Sequence, residues 1–471
     1  VSNAPSSPGT LSAEQDDPVL RRSIFEEALR AFADVRGGEG LTAVLLGFSL
    51  FVGLFGYYLL KTVREPWVLA TGGAELRSYA TGFQAVVLMG LLPLYAWVAR
   101  RVSRTQLVLG TSAFFLVCIE VFSVLAWLRV PYVGLVFYVW LGIYVLTSVA
   151  QLWSLANDLY GRDKGARLFP LVAIGAPLGS ALGALAASRL FSGTSAIASL
   201  LQLASLFILV QLALLFVITR RPEAKTEPKE RIDTRTSIRM VLASPYLRWV
   251  ALLFVVLNLI NTTGEFLLAR AIVGEADQAT ASAVASGIAS VDPAAFRSDF
   301  IRTTYGDFYF VVNVLSVLLQ ALVASRLVRW AGLKGALLML PLVALGAYGM
   351  MAFGVGFLAL RALKVAENAT DYSIENTARA ILWLPTSRTE KYVGKQTVDT
   401  FFVRTGDVLS ALLVFGFAQL GDVPGPWLAI INVTLAVAAL VVSLRIAKRH
   451  ALLSSARTSE PPRVIAKEGV A

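Results

Sequence analysis

Run after run of about 20 apolar residues constrains this chain more than any other feature, because a helix of that length crosses the hydrocarbon core of a bilayer. Every backbone polar group in that core must be satisfied within the segment itself, which selects helices. Composition agrees: 56% of the 471 residues are hydrophobic, 15% are charged and the mean hydropathy is +0.67. A soluble chain carries about 25% charged residues. The expected fold class is all-α, a polytopic membrane protein with twelve transmembrane helices. The spans fall near 41–60, 79–98, 107–128, 132–155, 168–188, 197–218, 247–268, 306–325, 335–353, 355–384, 398–420 and 426–444.

The polar segments divide the chain. Residues 1–40 read as a cytoplasmic tail ending in an amphipathic helix. Leu20, Ile24, Ala28, Phe32 and Val35 follow at helical spacing, opposite Arg21, Glu26, Glu27, Arg30 and Asp34. No cleavable signal is expected in the polar, Pro/Ser-rich start, so entry falls to the first span. An N-terminal six-helix half, 41–218, meets a cytoplasmic linker at 219–245 that carries Arg220, Arg221, Lys225, Lys229, Arg231, Arg235 and Arg239. A C-terminal half, 246–446, with an inserted loop at 269–305, leads to a tail at 447–471. The turns after spans two, four, eight and ten are basic, through Arg100, Arg101, Arg104, Arg162, Lys164, Arg167, Arg326, Arg329, Lys334, Arg388, Lys391 and Lys395. The positive-inside rule then places both termini in the cytoplasm. Lys61, Arg64 and Arg77, between the first two spans, break that pattern.

Whole classes of chemistry are excluded. Cys118 is the only cysteine and His450 the only histidine, so no internal disulfide, metal cluster or histidine-based triad is expected. No G-x-x-x-x-G-K-[ST] occurs, so transport would draw on gradients and not on nucleotide hydrolysis. No enzyme, cofactor or metal is expected. The net charge of +11 is assigned to cytoplasmic loops and not to nucleic-acid binding.

Charge inside the apolar runs marks the site, since ionisable groups in a bilayer are costly and line aqueous paths or bind something. Lys61 and Glu65, four apart, share a helix face with Arg64 beside them, although snorkelling at a helix end gives a bland alternative. The tenth span carries Lys364, Glu367, Asn368, Asp371, Glu375 and Arg379 every three or four residues. That stripe is polar over about 20 Å. It reads as the lining of a translocation path, with a static salt-bridge network as the alternative. Lys391, Lys395, Asp399 and Arg404 follow in the next turn and span. Gly175, Gly179 and Gly183 form a small-residue face explained by close helix packing alone. Asn258, Asn261, Thr262, Thr263 and Glu265 are assigned to capping and interhelical bonds.

"WVARRVSRTQLVLG" after the second span is similar to "ASRLVRWAGLKGALL" after the eighth. Six plus six helices with repeated basic turns suit the major facilitator architecture, whose substrate site lies between the halves.

Four strings carry a more specific resemblance: "LLKTVREPWVLATGGAE", "FYVWLGIYVLTSVAQLWSLAND", "ATDYSIENTARAILWLP" and "EKYVGKQTVDTFFVRTG". Over most of 45–420 the chain resembles the ATP:ADP antiporter family of plastids and intracellular bacteria. The resemblance implies exchange of NTP/NDP-type nucleotides, with Lys61, Arg64, Arg379, Lys391, Lys395 and Arg404 holding phosphates. Arg forks and Lys point charges suit phosphate oxygens. Gly142 stands where members have a glutamate, and Asp371 and Asp407 where they have lysines, which implies a divergent bacterial relative with a shifted substrate.

The function expected is secondary transport of an anionic, nucleotide-like solute across the bacterial inner membrane by alternating access. The substrate-binding set is Lys61, Arg64, Glu65, Lys364, Asp371, Glu375, Arg379, Lys391, Lys395, Asp399 and Arg404. The partners are the solute and the lipid bilayer, with the chain a monomer. Two alternatives stand beside it: a proton-coupled carrier of a non-nucleotide solute, using Glu367, Asp371 or Glu375, and a non-transporting membrane scaffold.

Overall fold

The computed structural model describes residues 27, 29, 34–36, 38–99, 101–160, 162–193, 195–221, 237–286, 292–387, 389–421 and 425–459. Among these the regular elements are all helical. In chain order they are α1 (Gly40–Ala99), α2 (Arg104–Trp127), α3 (Val133–Leu159), α4 (Arg162–Ala173), α5 (Gly175–Arg189) and α6 (Ala196–Thr219). Then come α7 (Ser237–Ala243), α8 (Pro245–Ala285), α9 (Pro293–Leu319), α10 (Ser325–Ala352), α11 (Phe357–Thr370), α12 (Asn376–Leu382), α13 (Lys395–Thr397), α14 (Val403–Gln419) and α15 (Gly425–Ser459). Short π-helical turns join several of them: Gln320–Ala324, Asp371–Glu375, Glu390–Gly394 and Val398–Phe402.

Each of the twelve expected spans falls on helix to within about two residues. Nine helical stretches among the described residues are long and apolar enough to cross a membrane. Two of those, Gly40–Leu91 and Pro293–Ala352, each contain two expected spans and a break at glycine. The expected tenth span, α11 to α12, is helical but too charged to be counted by hydropathy. The chain is a multi-pass, all-α membrane protein.

The first break is a fold-back. Gly73 has φ +65°, a conformation that a side chain disfavours. A straight helix would hold residues 65 and 77 about 18 Å apart. Arg77 Nε instead lies 2.6 Å from Glu65 Oε2. Two sequence expectations are corrected here. Span one runs through Lys61, Arg64 and Glu65 to the glycines and does not close at residue 60. Segment 61–78 is therefore no ordinary loop, and its charges are interior. Arg64 and Arg77 are 8% and 5% exposed and Glu65 is fully buried, which overturns the snorkelling alternative for these two neighbours of Lys61.

The expected loop at 269–305 is also different. α8 continues to Ala285 and α9 begins at Pro293, so most of it is helix. Ser244 and Asp292 cap these helices through their side chains, each with proline at the first turn. Most of the expected amphipathic helix, and Lys225, Lys229, Arg231 and Arg235 of the linker, lie outside the described residues. Leu29 and Val35 pack with Ala43, Leu46 and Leu159.

Two apolar clusters lie wholly among α1–α6 and their flanks. A larger one fills the C-terminal helices and takes in Tyr58, Val68, Ala80, Tyr138 and Ala184 from the N-terminal ones. The glycine face of α5 packs as its spacing predicts. A Cβ on Gly175, Gly179 or Gly183 would collide with the carbonyl oxygens of Gly47, Phe51 and Phe55 on α1. The Gly179→Val variant should lower stability by about 1–3 kcal/mol through overpacking. Gly90→Ala, which meets nothing within 4 Å, should leave the melting temperature within the ordinary range of surface changes. Thermal unfolding of the two purified variants checks this.

Candidate functional site

Helical spacing puts Lys61, Arg64 and Glu65 on neighbouring positions of one face of α1. The fold-back returns Arg77 to the same place. Glu65 is fully buried and accepts from both sides. Arg64 donates to Oε1 through Nη2 and through Nε at 3.1 Å, and Arg77 to Oε2 at 2.6 Å. The Tyr309 hydroxyl of α9 donates to Oε1 at 3.0 Å. A buried carboxylate is tolerated only with such a complement of donors.

Arg77 carries the network onward, donating through Nη2 to Glu265 on α8 at 3.2 Å. Asn368 Nδ2 donates to the other Glu265 oxygen at 2.9 Å, and Lys364 Nζ stands 3.8 Å from it. Lys364 is fully buried and donates to the Asn261 backbone and side-chain oxygens at 3.1 and 2.8 Å and to Glu367 at 3.0 Å. Tyr348 of α10 closes the chain, donating to Glu367 at 2.6 Å. Gly264 makes this approach feasible: a Cβ there would collide with the Tyr348 hydroxyl and sit 2.9 Å from Lys364 Nζ.

Lys61 sits differently. Its Nζ lies 4.0 Å from the Tyr309 ring centroid and 4.9 Å from that of Tyr58. No carboxylate of the described residues forms an ion pair with it. The network thus holds four cations, Lys61, Arg64, Arg77 and Lys364, against three carboxylates, Glu65, Glu265 and Glu367. One positive charge is left over. Its aromatic neighbours attract a cation without neutralising it.

A second cluster lies along α11 and α12. Arg379 donates to Asp371 at 3.1 Å and lies 3.5 Å from Glu375, with its guanidinium 4.8 Å from the Phe254 ring. Asp371 and Arg379 line a pocket with Leu257, Asn258, Leu340 and Glu367. A third group gathers on α14, where Asp407 accepts from Asn258 and Thr262 at 2.7 Å and from Arg404 at 3.0 Å. Lys391, Lys395 and Asp399 are exposed and form no ion pair among the described residues. Arg388 lies outside the described residues.

The structure therefore joins Lys61, Arg64, Glu65 and Lys364 in one network and Asp371, Glu375 and Arg379 in another. It leaves Lys391, Lys395, Asp399 and Arg404 apart from both. Sequence reasoning missed Arg77, counted as a loop charge, and underrated Glu265, assigned to capping. The signal for Arg77 was present: an acid and a base twelve residues apart with Gly72-Gly73 between them. Tyr309 and Tyr348 gave none, being aromatic residues in apolar helices.

Five polar contacts join described residues of 40–221 to described residues of 237–459. They are Tyr58 to Asn313 at 3.2 Å, Glu65 to Tyr309, Arg77 to Glu265, Arg189 to Asp307 at 3.1 Å, and Arg302 to the Ala187 carbonyl. They involve α1 from Tyr58 to Arg77, the end of α5, the middle of α8 and α9 from Arg302 to Asn313.

No family model matches the chain, and no curated protein matches it. Solved structures do. The nucleoside transporter NupG is similar with a TM-score of 0.58 at 10% identity, covering 86% of this chain and 98% of that one. A peptide transporter POT in complex with sulfate gives 0.59 at 15%, covering 92% and 99%. A bacterial homolog of the human lysosomal transporter Spinster, in an inward-facing and unoccupied conformation, gives 0.53 at 16%, covering 90% and 98%. At such identities the likeness establishes the fold, which is major facilitator-like.

The Glu65→Ala variant should lose about 3–5 kcal/mol of stability, because two buried guanidinium groups lose their shared partner. Adding Arg77→Ala to it should recover part of that loss, and thermal unfolding of the four members of this cycle measures the coupling.

Proposed function

We propose that this chain is a secondary transporter that moves an anionic, nucleotide-like solute by alternating access between two six-helix halves, 41–218 and 246–446. Both termini are assigned to the cytoplasm from the basic turns, and the membrane to the bacterial inner membrane from the resemblance to the antiporter family. The reading favours exchange of NTP/NDP-type substrates by a monomer.

The observation that carries it is Lys61. It is a cation at the junction of the two helix sets, held over Tyr58 and Tyr309 and left without an ion pair, so the junction has one positive charge in excess. An anionic solute supplies the missing charge. The few polar contacts that join the two helix sets support the alternating part of the reading, since a carrier that switches must make and break such bonds. Arg379 and Arg404, 28% and 30% exposed, are the further cations on the path, followed by Lys391 and Lys395. Arg64, Glu65 and Lys364 are buried, and act by fixing the others in place. Asp371 and Asp407 pair with Arg379 and Arg404, so these acids temper the two cations.

Proteoliposomes loaded with ATP or ADP should take up the labelled counterpart. Lys61→Gln should reduce that exchange about 10- to 100-fold, the worth of one charge-assisted bond of about 1.5–3 kcal/mol. Absence of counter-exchange with every NTP, NDP and NAD tested would end the nucleotide reading. A bifunctional reagent joining cysteines placed at Arg189 and Asp307 should arrest transport, and reduction of the link should restore it. Unchanged transport in the linked protein would argue against alternating access through this end.

A further inference from the structure

One carboxyl group is unexplained by the networks above. Glu375 is fully buried, and its Oε2 has no hydrogen-bond partner among the described residues. Its Oε1 has only Arg379 Nε, at 3.5 Å, which is long for a hydrogen bond. The same guanidinium makes a shorter contact, 3.1 Å, to Asp371. Two carboxyl groups therefore share one cation, and the buried one has the weaker share. This arrangement is built by the π-helical turn Asp371–Glu375, whose extra residue lets Asp371 and Glu375 both reach toward Arg379. Such turns inside α-helices are frequent at functional sites.

The surroundings offer Glu375 no other partner. The π-turn packs against α9, the turn Gln320–Ala324 and α10. Gln320 bonds Thr377, at 3.0 Å, and not Glu375. No charged group of those elements contacts Glu375 among the described residues. On its own helix Asp371 and Arg379 face it, and Asp399 of the turn Val398–Phe402 acts on Arg379 electrostatically without bonding it. The charge on Glu375 is therefore supported by Arg379 alone, and Arg379 is 28% exposed to the pocket it lines with Asp371.

We infer that Glu375 is a proton-carrying site coupled to anion binding at Arg379. An anion entering the pocket draws the guanidinium to itself. An ionised carboxylate left behind in a dry site is strongly disfavoured. Glu375 then takes one proton from the open end onto Oε2, forming an O–H bond. When the anion leaves, Arg379 returns and the proton departs to water. Anion and proton thus bind together and travel together. This inference rests on the transport reading and adds its coupling ion. In strict exchange the protons carried in each direction cancel; in net uptake they do not.

The test uses the purified full-length protein and infrared difference spectroscopy over a pH titration, with and without ATP as the probe anion. A carboxylic acid C=O band should be present in wild type and absent from Glu375→Gln, while Glu375→Asp keeps a shifted band. At fixed pH the band should grow on adding ATP, and Arg379→Gln should show it without ATP. A band set unchanged by Glu375→Gln overturns the inference, as does a Glu375 band indifferent to both ATP and Arg379→Gln. A band that responds to Arg379→Gln but not to ATP supports the proton site and counts against the nucleotide reading. In proteoliposomes an acid-outside gradient should drive ADP accumulation at least severalfold; Glu375→Gln should abolish that stimulation, read as the ratio of uptake with and without the gradient in the same variant. Retained stimulation in that variant overturns the coupling.

Discussion

The carboxylate of Glu65 is the constraint on which the rest of the arrangement depends. It has no contact with solvent, so every lone pair must be met by protein. Two guanidinium groups and a tyrosine hydroxyl meet them, from both arms of α1 and from α9. Those donors cannot arrive unless the chain reverses at Gly72-Gly73 and α9 lies against the reversal. A buried, fully bonded ion cluster fixes geometry more than it adds stability. Here it sets the register between the helices before residue 222 and those after 236.

From Glu65 the charges alternate outward through Arg77, Glu265, Lys364 and Glu367 to Tyr348. Each group is desolvated by its neighbours and stabilised by them, so the chain behaves as one unit. Lys61 lies beside it and is held by ring faces. That placement leaves its ammonium group without a carboxylate partner among the described residues, so an incoming anion can meet it.

Much of this was legible in the sequence. Apolar runs located the spans other than the tenth, because length and hydropathy report the membrane directly. The glycines of α5 announced their packing, since only close approach explains three of them at four-residue spacing. The charged stripe of α11 and α12 was visible because six polar groups at three- and four-residue intervals cannot all face lipid. What periodicity could not supply was which charges meet. Lys364 and Arg379 belong to one stripe but to different networks, divided by the turn at Asp371–Glu375. Arg77 pairs with Glu65 through a reversal that hydropathy read as an interhelical loop. The first span looked short because charge ended the apolar run before the helix ended. Helix length in the segment 269–305 was hidden for the opposite reason: alanine and serine read as a loop by composition, yet alanine is the best helix former.

The π-helical turns give the C-terminal helices a property that the N-terminal ones lack among the described residues. α1 and α5 are locked by backbone contacts at three glycines and have no slack. The helices after residue 319 carry four places where one residue is stored in a widened turn. A residue released from such a turn rotates everything beyond it by about 100° and advances it by about 1.5 Å. Side chains can then exchange partners while helix ends stay anchored. The molecule is in this sense a fixed jaw and an indexed one, and the second can re-aim Arg379 and Arg404 by discrete steps without hinge bending.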